Sequence, residues 1–316
     1  TIDMASGIPI IDMNAVETCG KEILEAFSTI GFATLTNHGI PNSLIERAFQ
    51  ASKSFFALPL ASKQKFLYEN HESNRGYIPL GHESFTKDSP EQKETLDLGP
   101  KDDDWNNEKN WPTQELSGSF QEVMEEYFEN FNNLNLRIMK LLAIAWNMEN
   151  EHFFMDQCNE KHANLRLLHY PQLERGKDGI VQRGSVHTDF GTITLLTQDS
   201  VGGLLAQKLD GKWVSIPPVP GSIIVNVGEM LQRWTNNFLR ATPHQVVELP
   251  SNGSQGSPDF IQDRFSIAFF CNANKNVVLR CLDHCVTSEN PALYHEINSH
   301  DYLTMRLAQT ISAKRM

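Results

Sequence analysis

The chain has 316 residues, of which 40% are hydrophobic and 21% charged, as in an ordinary globular protein that can bury a large core. Its formal net charge of −12 argues against nucleic acid or an acidic membrane as a partner, because a polyanion would be repelled. No apolar run is long enough to cross a bilayer, and the five cysteines lack the paired spacing of a zinc site. We expect a cytoplasmic protein with reduced thiols, and we take it to be a monomer.

The N-terminal part of the chain alternates short strands with helices. Its apolar periodicity predicts a strand over 8–12, a helix over 15–28, a strand over 32–36 and a helix over 43–56. Residues 70–115 are polar and contain glycine and proline, so we expect loops over the mouth of a site there.

The pattern changes twice in the remainder of the chain. Apolar residues at spacings of three and four predict one long helix within 119–150 that packs against a sheet. From 160 to 275 the period falls to two, and short strands between turns are typical of a sandwich or jelly roll. The segment 276–316 is predicted to be a helical cap. The sequence thus predicts a mainly β fold with flanking helices.

A His-x-Asp motif lies in an apolar, β-branched run that looks extended. In a strand, side chains at i and i+2 point to the same face, so His187 and Asp189 would converge. A third ligand is available at His244, just before another apolar stretch. Two imidazoles and one carboxylate form the facial triad that leaves positions open on a non-heme Fe(II). A single His-x-Asp is more often a solvated surface pair, so the interpretation depends on a further motif downstream.

That motif is an Arg-x-Ser on a second alternating segment. Arg264 and Ser266 would share one face of the strand, while Phe265 and Ile267 take the other. A guanidinium beside a hydroxyl is suited to holding a carboxylate through charge-assisted hydrogen bonds. The alternative for an isolated Arg-x-Ser is a structural ion pair on the sheet.

These motifs, in this order, resemble those of the iron(II)- and 2-oxoglutarate-dependent dioxygenases, in the branch that includes isopenicillin N synthase-like enzymes and plant-type hydroxylases and desaturases. The resemblance extends over roughly 7–310 and includes the segments 31–40, 75–77, 93–99 and 165–171. It implies a double-stranded β-helix core with an N-terminal helical region. The corresponding segments are an N-terminal region 1–118, a supporting helix 119–150, a catalytic core 160–275 and a C-terminal helical cap 276–316.

The resemblance also implies a reaction and further site residues. Fe(II) would be held by His187, Asp189 and His244, 2-oxoglutarate would bind with its distal carboxylate on Arg264 and Ser266, and O2 would complete the site. Turnover would oxidise a small-molecule substrate by hydroxylation, desaturation or ring closure and release succinate and CO2. Tyr170 matches a tyrosine that helps to bind the co-substrate in many relatives. The chain departs from the plant-type pattern at Leu168, where relatives often have asparagine.

Two further residues, Arg75 and Tyr77, fall in the region that lines the substrate mouth in relatives. If they face the site, an amino-acid derivative or a nucleobase becomes an attractive substrate; surface or intramolecular pairing is the alternative for each. Two other functions remain open from the sequence. An oxidase like isopenicillin N synthase would use the same arginine for its substrate, without 2-oxoglutarate. A non-catalytic jelly-roll protein would keep the metal site only for binding.

Overall fold

The computed structural model describes residues 2–3, 7–68, 74–83, 91–103, 111–112, 115–116, 119–174, 182–248 and 260–310. In chain order the α-helices are α1 (Cys19–Thr29), α2 (Asn42–Phe56), α3 (Leu60–Lys63), α4 (Phe120–Ala145), α5 (Phe153–Asp156), α6 (Glu229–Trp234) and α7 (Ser299–Thr310). The strands are β1 (Ile2–Asp3), β2 (Ile10–Asp12), β3 (Phe32–Thr36), β4 (Gly76–Ile78), β5 (Glu94–Leu98), β6 (Ala163–Tyr170), β7 (Leu173–Glu174), β8 (Gln182–His187), β9 (Ile193–Gln198), β10 (Leu204–Gln207), β11 (Trp213–Ser215), β12 (Ile223–Val227), β13 (His244–Val247), β14 (Phe260–Ile261), β15 (Arg264–Cys271), β16 (Val278–Leu279) and β17 (Ile297–Asn298).

Two facing sheets form the centre of the molecule. The larger sheet has eight strands in the order β2-β3-β12-β9-β15-β6-β5-β4, and the smaller has five in the order β1-β11-β10-β13-β8. The chain passes repeatedly from one sheet to the other, for example from β8 to β9 and from β12 to β13. These crossings and the antiparallel pairing of the core strands are those of a jelly roll. The predicted mainly β fold with a double-stranded β-helix core is confirmed.

The space between the sheets is only partly filled by apolar side chains. Phe32, Leu168 and Ala268 from the larger sheet meet Leu204 and Val246 from the smaller one in a compact cluster. The rest of this space is a cavity that both sheets line. Alternation along each strand therefore gives the site its walls, because every second side chain points inward.

Helices cover the opposite face of the larger sheet. The longest, α4, buries an apolar stripe in which Phe128 and Phe131 meet Phe269 of β15, with ring centroids 4.9 and 6.0 Å apart. One polar contact fixes the register of this packing: the Tyr127 and Thr197 hydroxyls lie 2.9 Å apart. The helix expected within 119–150 corresponds to α4, which packs against the sheet that carries the site.

The prediction of loops across residues 70–115 was wrong in part. Within the described residues of this segment, β4 and β5 extend the larger sheet beyond β6. All five residues of β5 are buried, including Glu94 and Asp97. The charged residues of β5 led to the prediction of a loop because their partners are distant in the sequence. Lys63 pairs with Glu94, and Arg166 pairs with Asp97. A buried strand that carries paired charges has the composition of a surface loop.

Candidate active site

Two histidines face each other at the edge of the smaller sheet. His187 is the last residue of β8 and His244 the first of β13, and the antiparallel register places them directly opposite each other. Their ring centroids are 4.3 Å apart. The two residues are far apart in the sequence, so it is the strand pairing that brings the two imidazoles to one point.

The third member of the cluster, Asp189, lies just beyond β8. Its Oδ1 is 3.7 Å from His187 Nε2 and 3.6 Å from His244 Nε2. The expectation of one continuous strand through His187 and Asp189 was wrong, because the chain leaves the smaller sheet at Thr188 and enters the larger one at Ile193. The two side chains nevertheless converge, as the i and i+2 spacing predicted.

Gly191 permits this crossing. A Cβ at this position would come within 2.1 Å of the Cys271 carbonyl oxygen. No side chain fits there, so the loop that carries Asp189 can lie directly against the end of β15 only because this residue is glycine.

Each imidazole is fixed through its Nδ1. That of His187 donates to the Ser185 carbonyl at 2.8 Å, and that of His244 donates to the Thr242 carbonyl at 3.1 Å. With the proton held at Nδ1, each Nε2 keeps its lone pair and points at the shared centre. Backbone carbonyls thus select the tautomer that a metal ion requires.

The carboxylate is fixed through one of its two oxygens. Asp189 Oδ2 accepts hydrogen bonds from Thr194 Oγ1 at 2.6 Å and from Asn226 Nδ2 at 2.7 Å. Oδ1 is left to face the two imidazoles. Both donors lie on neighbouring strands of the larger sheet, so the two sheets together hold the carboxylate.

The protonation states also suit a metal ion. Burial and the neighbouring His244 lower the pKa of His187 to about 4. Burial alone would raise the pKa of Asp189, but the two imidazoles hold it below its ordinary value. At neutral pH His187 therefore presents a neutral nitrogen and Asp189 an anionic oxygen, the forms that bind metal.

One ligand atom from each of His187, Asp189 and His244 lies within 4.8 Å of the others. Two imidazoles and one carboxylate on one side of a centre are the donor set of non-heme Fe(II) sites with open positions. The residues present fit that ion.

Arg264 and Ser266 lie farther along the same cavity, on the larger sheet. Arg264 is 2% exposed, and its guanidinium donates to Ser266 Oγ at 3.1 Å, to the Gly202 carbonyl at 2.7 Å and to Gln198 Oε1 at 3.2 Å. Phe265 and Ile267 point to the opposite face and join the core under the helices, as the alternation predicted. The His-x-Asp and Arg-x-Ser motifs therefore face the same cavity.

The neighbouring strand β6 contributes Tyr170 to this end of the cavity. In the antiparallel register Tyr170 pairs with Arg264, and the guanidinium carbon lies 4.9 Å from the centre of the tyrosine ring. Leu168, the departure from the plant-type pattern, pairs with Ser266 and also lines the cavity. Leu168 thus gives the end of the cavity near Arg264 an apolar wall, at the position where plant-type relatives often have asparagine.

Arg75 and Tyr77 are not brought to the cavity. Arg75 is buried and its guanidinium binds Asp103 Oδ2 at 2.9 Å and the Ala163 carbonyl at 3.1 Å. The Tyr77 ring packs in the core under the helices, and its hydroxyl donates to Glu94. Neither side chain is among those that line the cavity. Their described contacts are those of the intramolecular pairing that was the alternative for both.

Several cavity residues were missed from the sequence. Arg166 lines the cavity two and four positions before Leu168 and Tyr170, and the alternation along β6 would have identified it. Glu83 and Lys93 also line it. They belong to the segment that was predicted as loops, and no local signal distinguishes them from surface charges.

Comparisons with known proteins now give the family. Residues 8–114 match the family described as non-haem dioxygenase in morphine synthesis N-terminal, and residues 161–273 match the 2OG-Fe(II) oxygenase superfamily. The chain is 36% identical over 306 residues to the proline hydroxylase buaE of Petromyces alliaceus, covering 92% of each protein. The chain belongs to the 2OG-Fe(II) oxygenase superfamily.

Solved structures agree with this assignment. The oxygenase is similar to a full-length Neurospora crassa protein solved in complex with alpha-KG (2-oxoglutarate), with a TM-score of 0.86, 31% identity and coverage of 95% of this chain and 96% of that one. A second structure of that Neurospora protein, with alpha-KG and thymine, matches with a TM-score of 0.86 and 30% identity over the same shares of the two chains. The likeness therefore extends through almost the whole fold.

Membership fixes the general reaction. The oxygenase uses Fe(II), 2-oxoglutarate and O2, oxidises a small molecule and releases succinate and CO2. The oxidase and the non-catalytic protein are not favoured by these relatives. Among the described residues, none of the helices combines the length and the apolar character that crossing a bilayer requires.

Proposed function

We propose that His187, Asp189 and His244 bind the Fe(II) of this oxygenase and that Arg264 and Ser266, with Tyr170 beside them, bind 2-oxoglutarate. One observation carries the second assignment: Arg264 is 2% exposed, and among the described residues no carboxylate pairs with it. A buried guanidinium without an anion is strongly disfavoured. The distal carboxylate of 2-oxoglutarate supplies the missing charge and accepts from Arg264 and Ser266.

The positive field at this end is reinforced by a second arginine. Arg183 is buried near Tyr170, with its guanidinium carbon 5.5 Å from the ring centre. Burial and the charge of Arg264 together lower the pKa of Arg183. A second positive charge so close to Arg264 favours an anion between or beside the two guanidinium groups, and this supports the same assignment.

When bound, Fe(II) activates O2 together with 2-oxoglutarate and so supplies the oxidising power for cleavage of a substrate C–H bond. The protein's contribution is to orient the reactants and to exclude water. Phe32 packs edge-on against the His244 ring at a centroid distance of 5.4 Å, and Leu204 and Val246 close the wall around it. Arg264 and Ser266 fix the co-substrate from the opposite side of the cavity.

For the primary substrate we propose a small, polar, nitrogen-containing metabolite. Two observations support this class. A relative at 36% identity is named a proline hydroxylase, and a relative at 30% identity was solved with thymine. The cavity also contains buried polar side chains, among them Asn74, Arg166 and Asn272, at a distance from the co-substrate end.

The decisive experiment is an anaerobic titration of the Fe(II)-loaded protein with 2-oxoglutarate, followed by its metal-to-ligand charge-transfer absorbance. Charge-assisted hydrogen bonds contribute about 1.5–3 kcal/mol each, so Arg264→Leu should weaken 2-oxoglutarate binding by roughly ten- to a thousandfold. Arg280→Leu is the matched control, because that side chain is 63% exposed and is not among the residues that line the cavity. Unchanged affinity in Arg264→Leu would remove Arg264 from the co-substrate site. Substrate turnover at full rate without any 2-oxo acid would instead establish the oxidase reaction.

We also propose that the protein works as a monomer in the cytoplasm, without nucleic acid or membrane partners. The five cysteines are all free, which suits a reducing compartment. Sedimentation equilibrium at micromolar concentration should give the mass of one chain, and a dimer mass would contradict the proposal.

A further inference from the structure

The far end of the cavity, away from Arg264, is a second polar site. Along β15 and its extension the residues that line the cavity are Arg264, Ser266, Ala268, Phe270 and Asn272. At about 3.3 Å per residue, Phe270 lies roughly 20 Å from Arg264 along the strand. The antiparallel register places Asn164 of β6 opposite Phe270. The cavity thus has two polar ends.

Two buried amides at this far end have no partner that satisfies them within the described part of the chain. Asn272 is 4% exposed, and its side chain makes no hydrogen bond there. Asn74 is 9% exposed, and its side chain has only a long contact of 3.5 Å from the Tyr68 hydroxyl. Both side chains line the cavity, and a carboxamide that other protein groups leave available can donate to and accept from a molecule that enters it.

A group of five buried charged side chains beside these amides carries an excess of one negative charge, while the nearby Arg75 is paired with Asp103. Three buried carboxylates (Glu83, Glu91 and Asp97) face two buried cations (Lys93 and Arg166). Although burial alone would raise the pKa of Glu83, Arg166 and Lys93 lower it to about 2, so this carboxylate stays ionised. A substrate that brings another negative charge here would be repelled by the set as a whole.

The same set offers no open carboxylate to a cation. Both oxygens of Asp97 accept from Arg166, at 2.7 and 2.9 Å, and Glu83 accepts from Arg166 at 2.9 Å and lies 3.0 Å from Lys93. These bonds use three of the five N–H groups of Arg166 and leave donors for a neutral acceptor. Its guanidinium carbon lies 5.8 Å from the centre of the Phe270 ring, which supplies an apolar surface.

We propose that this end, formed by Asn74, Arg166, Phe270 and Asn272 beside Glu83, binds the primary substrate and selects an uncharged molecule with an amide-type edge of N–H donors and C=O acceptors. Lactams, imides and nucleobases share this chemistry. The carboxamides of Asn74 and Asn272 each match one donor and one acceptor of such an edge, and Arg166 donates to a carbonyl. The inference rests on the proposed function, because it assigns the opposite end of the cavity to 2-oxoglutarate.

The test is calorimetric binding of probes to the protein loaded with Fe(II) and 2-oxoglutarate under anaerobic conditions. Uracil, thymine and succinimide are the neutral probes, orotate is uracil with an added carboxylate, and proline is a zwitterion. We expect the neutral probes to bind at least tenfold more tightly than orotate or proline. Orotate or proline binding as tightly as the neutral probes, or no binding by any neutral probe, would overturn the proposal.

Single substitutions test whether the neutral probes bind at this end of the cavity. Asn272→Ala should weaken the best neutral probe by roughly three- to tenfold, since one hydrogen bond contributes about 0.5–1.5 kcal/mol. Asn133→Ala, an exposed position on α4, is the control and should change nothing. Glu83→Gln removes the excess charge and should reduce the discrimination against orotate. An unchanged probe affinity in Asn272→Ala, or unchanged discrimination in Glu83→Gln, contradicts the proposal.

The 2-oxoglutarate affinity, measured in the same samples, separates this inference from the proposed function and shows that each variant is folded. If 2-oxoglutarate binds in a manner that depends on Arg264 while the neutral probes fail, only the substrate inference is overturned. If 2-oxoglutarate binding does not depend on Arg264, the proposed function fails first.

Discussion

The side-chain amide of Asn226 donates to Asp189 Oδ2 at 2.7 Å. Asn226 is 2% exposed and lies on β12 of the larger sheet, whereas Asp189 follows β8 of the smaller sheet. This hydrogen bond therefore connects the two sheets at the candidate metal site. It also decides which carboxylate oxygen remains available, because Oδ2 is occupied by Asn226 and Thr194.

Asn226→Ala should weaken Fe(II) binding by about ten- to a hundredfold, the usual cost of losing a residue that orients a metal ligand. The measurement is competition with a metal indicator under anaerobic conditions. Asn133→Ala, an exposed substitution on α4, provides the control. An Asn226→Ala protein with unchanged iron affinity would show that the orientation of Asp189 does not depend on this contact.

Asp189→Ala should abolish turnover and stoichiometric iron binding while leaving the fold intact. The side chain supplies the only carboxylate oxygen of the His187–Asp189–His244 cluster, and its removal leaves two imidazoles without an anionic ligand. Iron content and succinate release are measured on the purified variant, with circular dichroism as the folding control. Normal activity with stoichiometric iron would contradict the assignment of the metal site.

Arg75→Ala should destabilise the protein instead of acting on the substrate. The buried guanidinium makes hydrogen bonds to Asp103, Asn164 and two backbone carbonyls, so we expect a loss of roughly 2–4 kcal/mol in the free energy of unfolding. Arg47→Ala is the matched control, since the Arg47–Glu126 pair is about half exposed and should contribute less than about 1 kcal/mol. Urea denaturation gives both values. A stable Arg75→Ala protein with weaker substrate binding would restore the substrate role.

Arg306→Ala should loosen the C-terminal helix α7. Arg306 pairs with Glu229 and lies over the Phe190 ring, with its guanidinium carbon 4.4 Å from the ring centre. Leu303 and Leu307 of the same helix line the cavity. We expect hydrogen exchange of residues 299–310 to become about three- to thirtyfold faster, which corresponds to roughly 0.6–2 kcal/mol of local stability. Arg280→Ala, an exposed arginine, is the control. Unchanged exchange would show that the apolar contacts alone hold the helix.

The stability of the protein should fall between about pH 6.5 and pH 4, in part through His162. Burial is the main reason that the pKa of His162 is lowered from 6.5 to about 4. In this window the unfolded chain binds a proton at His162 that the folded chain does not, so stability decreases as the pH falls. His162→Gln should reduce the loss between pH 7 and pH 5 by about 1–2 kcal/mol.

The measurement is urea denaturation of the chelated protein at both pH values, so that metal binding does not contribute. The exposed His295 provides the control substitution, His295→Gln. An equal loss of stability in wild type and His162→Gln would assign the acid sensitivity to other groups.

The sequence by itself determined the fold class and the two motifs that meet in the cavity, His187 with Asp189 and Arg264 with Ser266. Alternation along β15 placed Arg264 and Ser266 on one face, and the spacing of His187 and Asp189 brought their side chains together although the strand ends between them. The pattern along β15 is local, because the period of a strand is set by the backbone and is visible within about ten residues. The position of Asp189 is set by the turn after β8.

Only the tertiary structure decided the positions of the charged residues between 70 and 115. Lys93 and Glu83 line the cavity, Arg75 is turned into a buried ion pair, and β5 is a strand in spite of its charges. The burial of Glu83 and of the charged residues of β5 depends on partners far away in the sequence, Arg166 and Lys63. The burial of these carboxylates is compensated by counter-charges that the fold supplies, and that compensation has no periodicity from which it could be predicted.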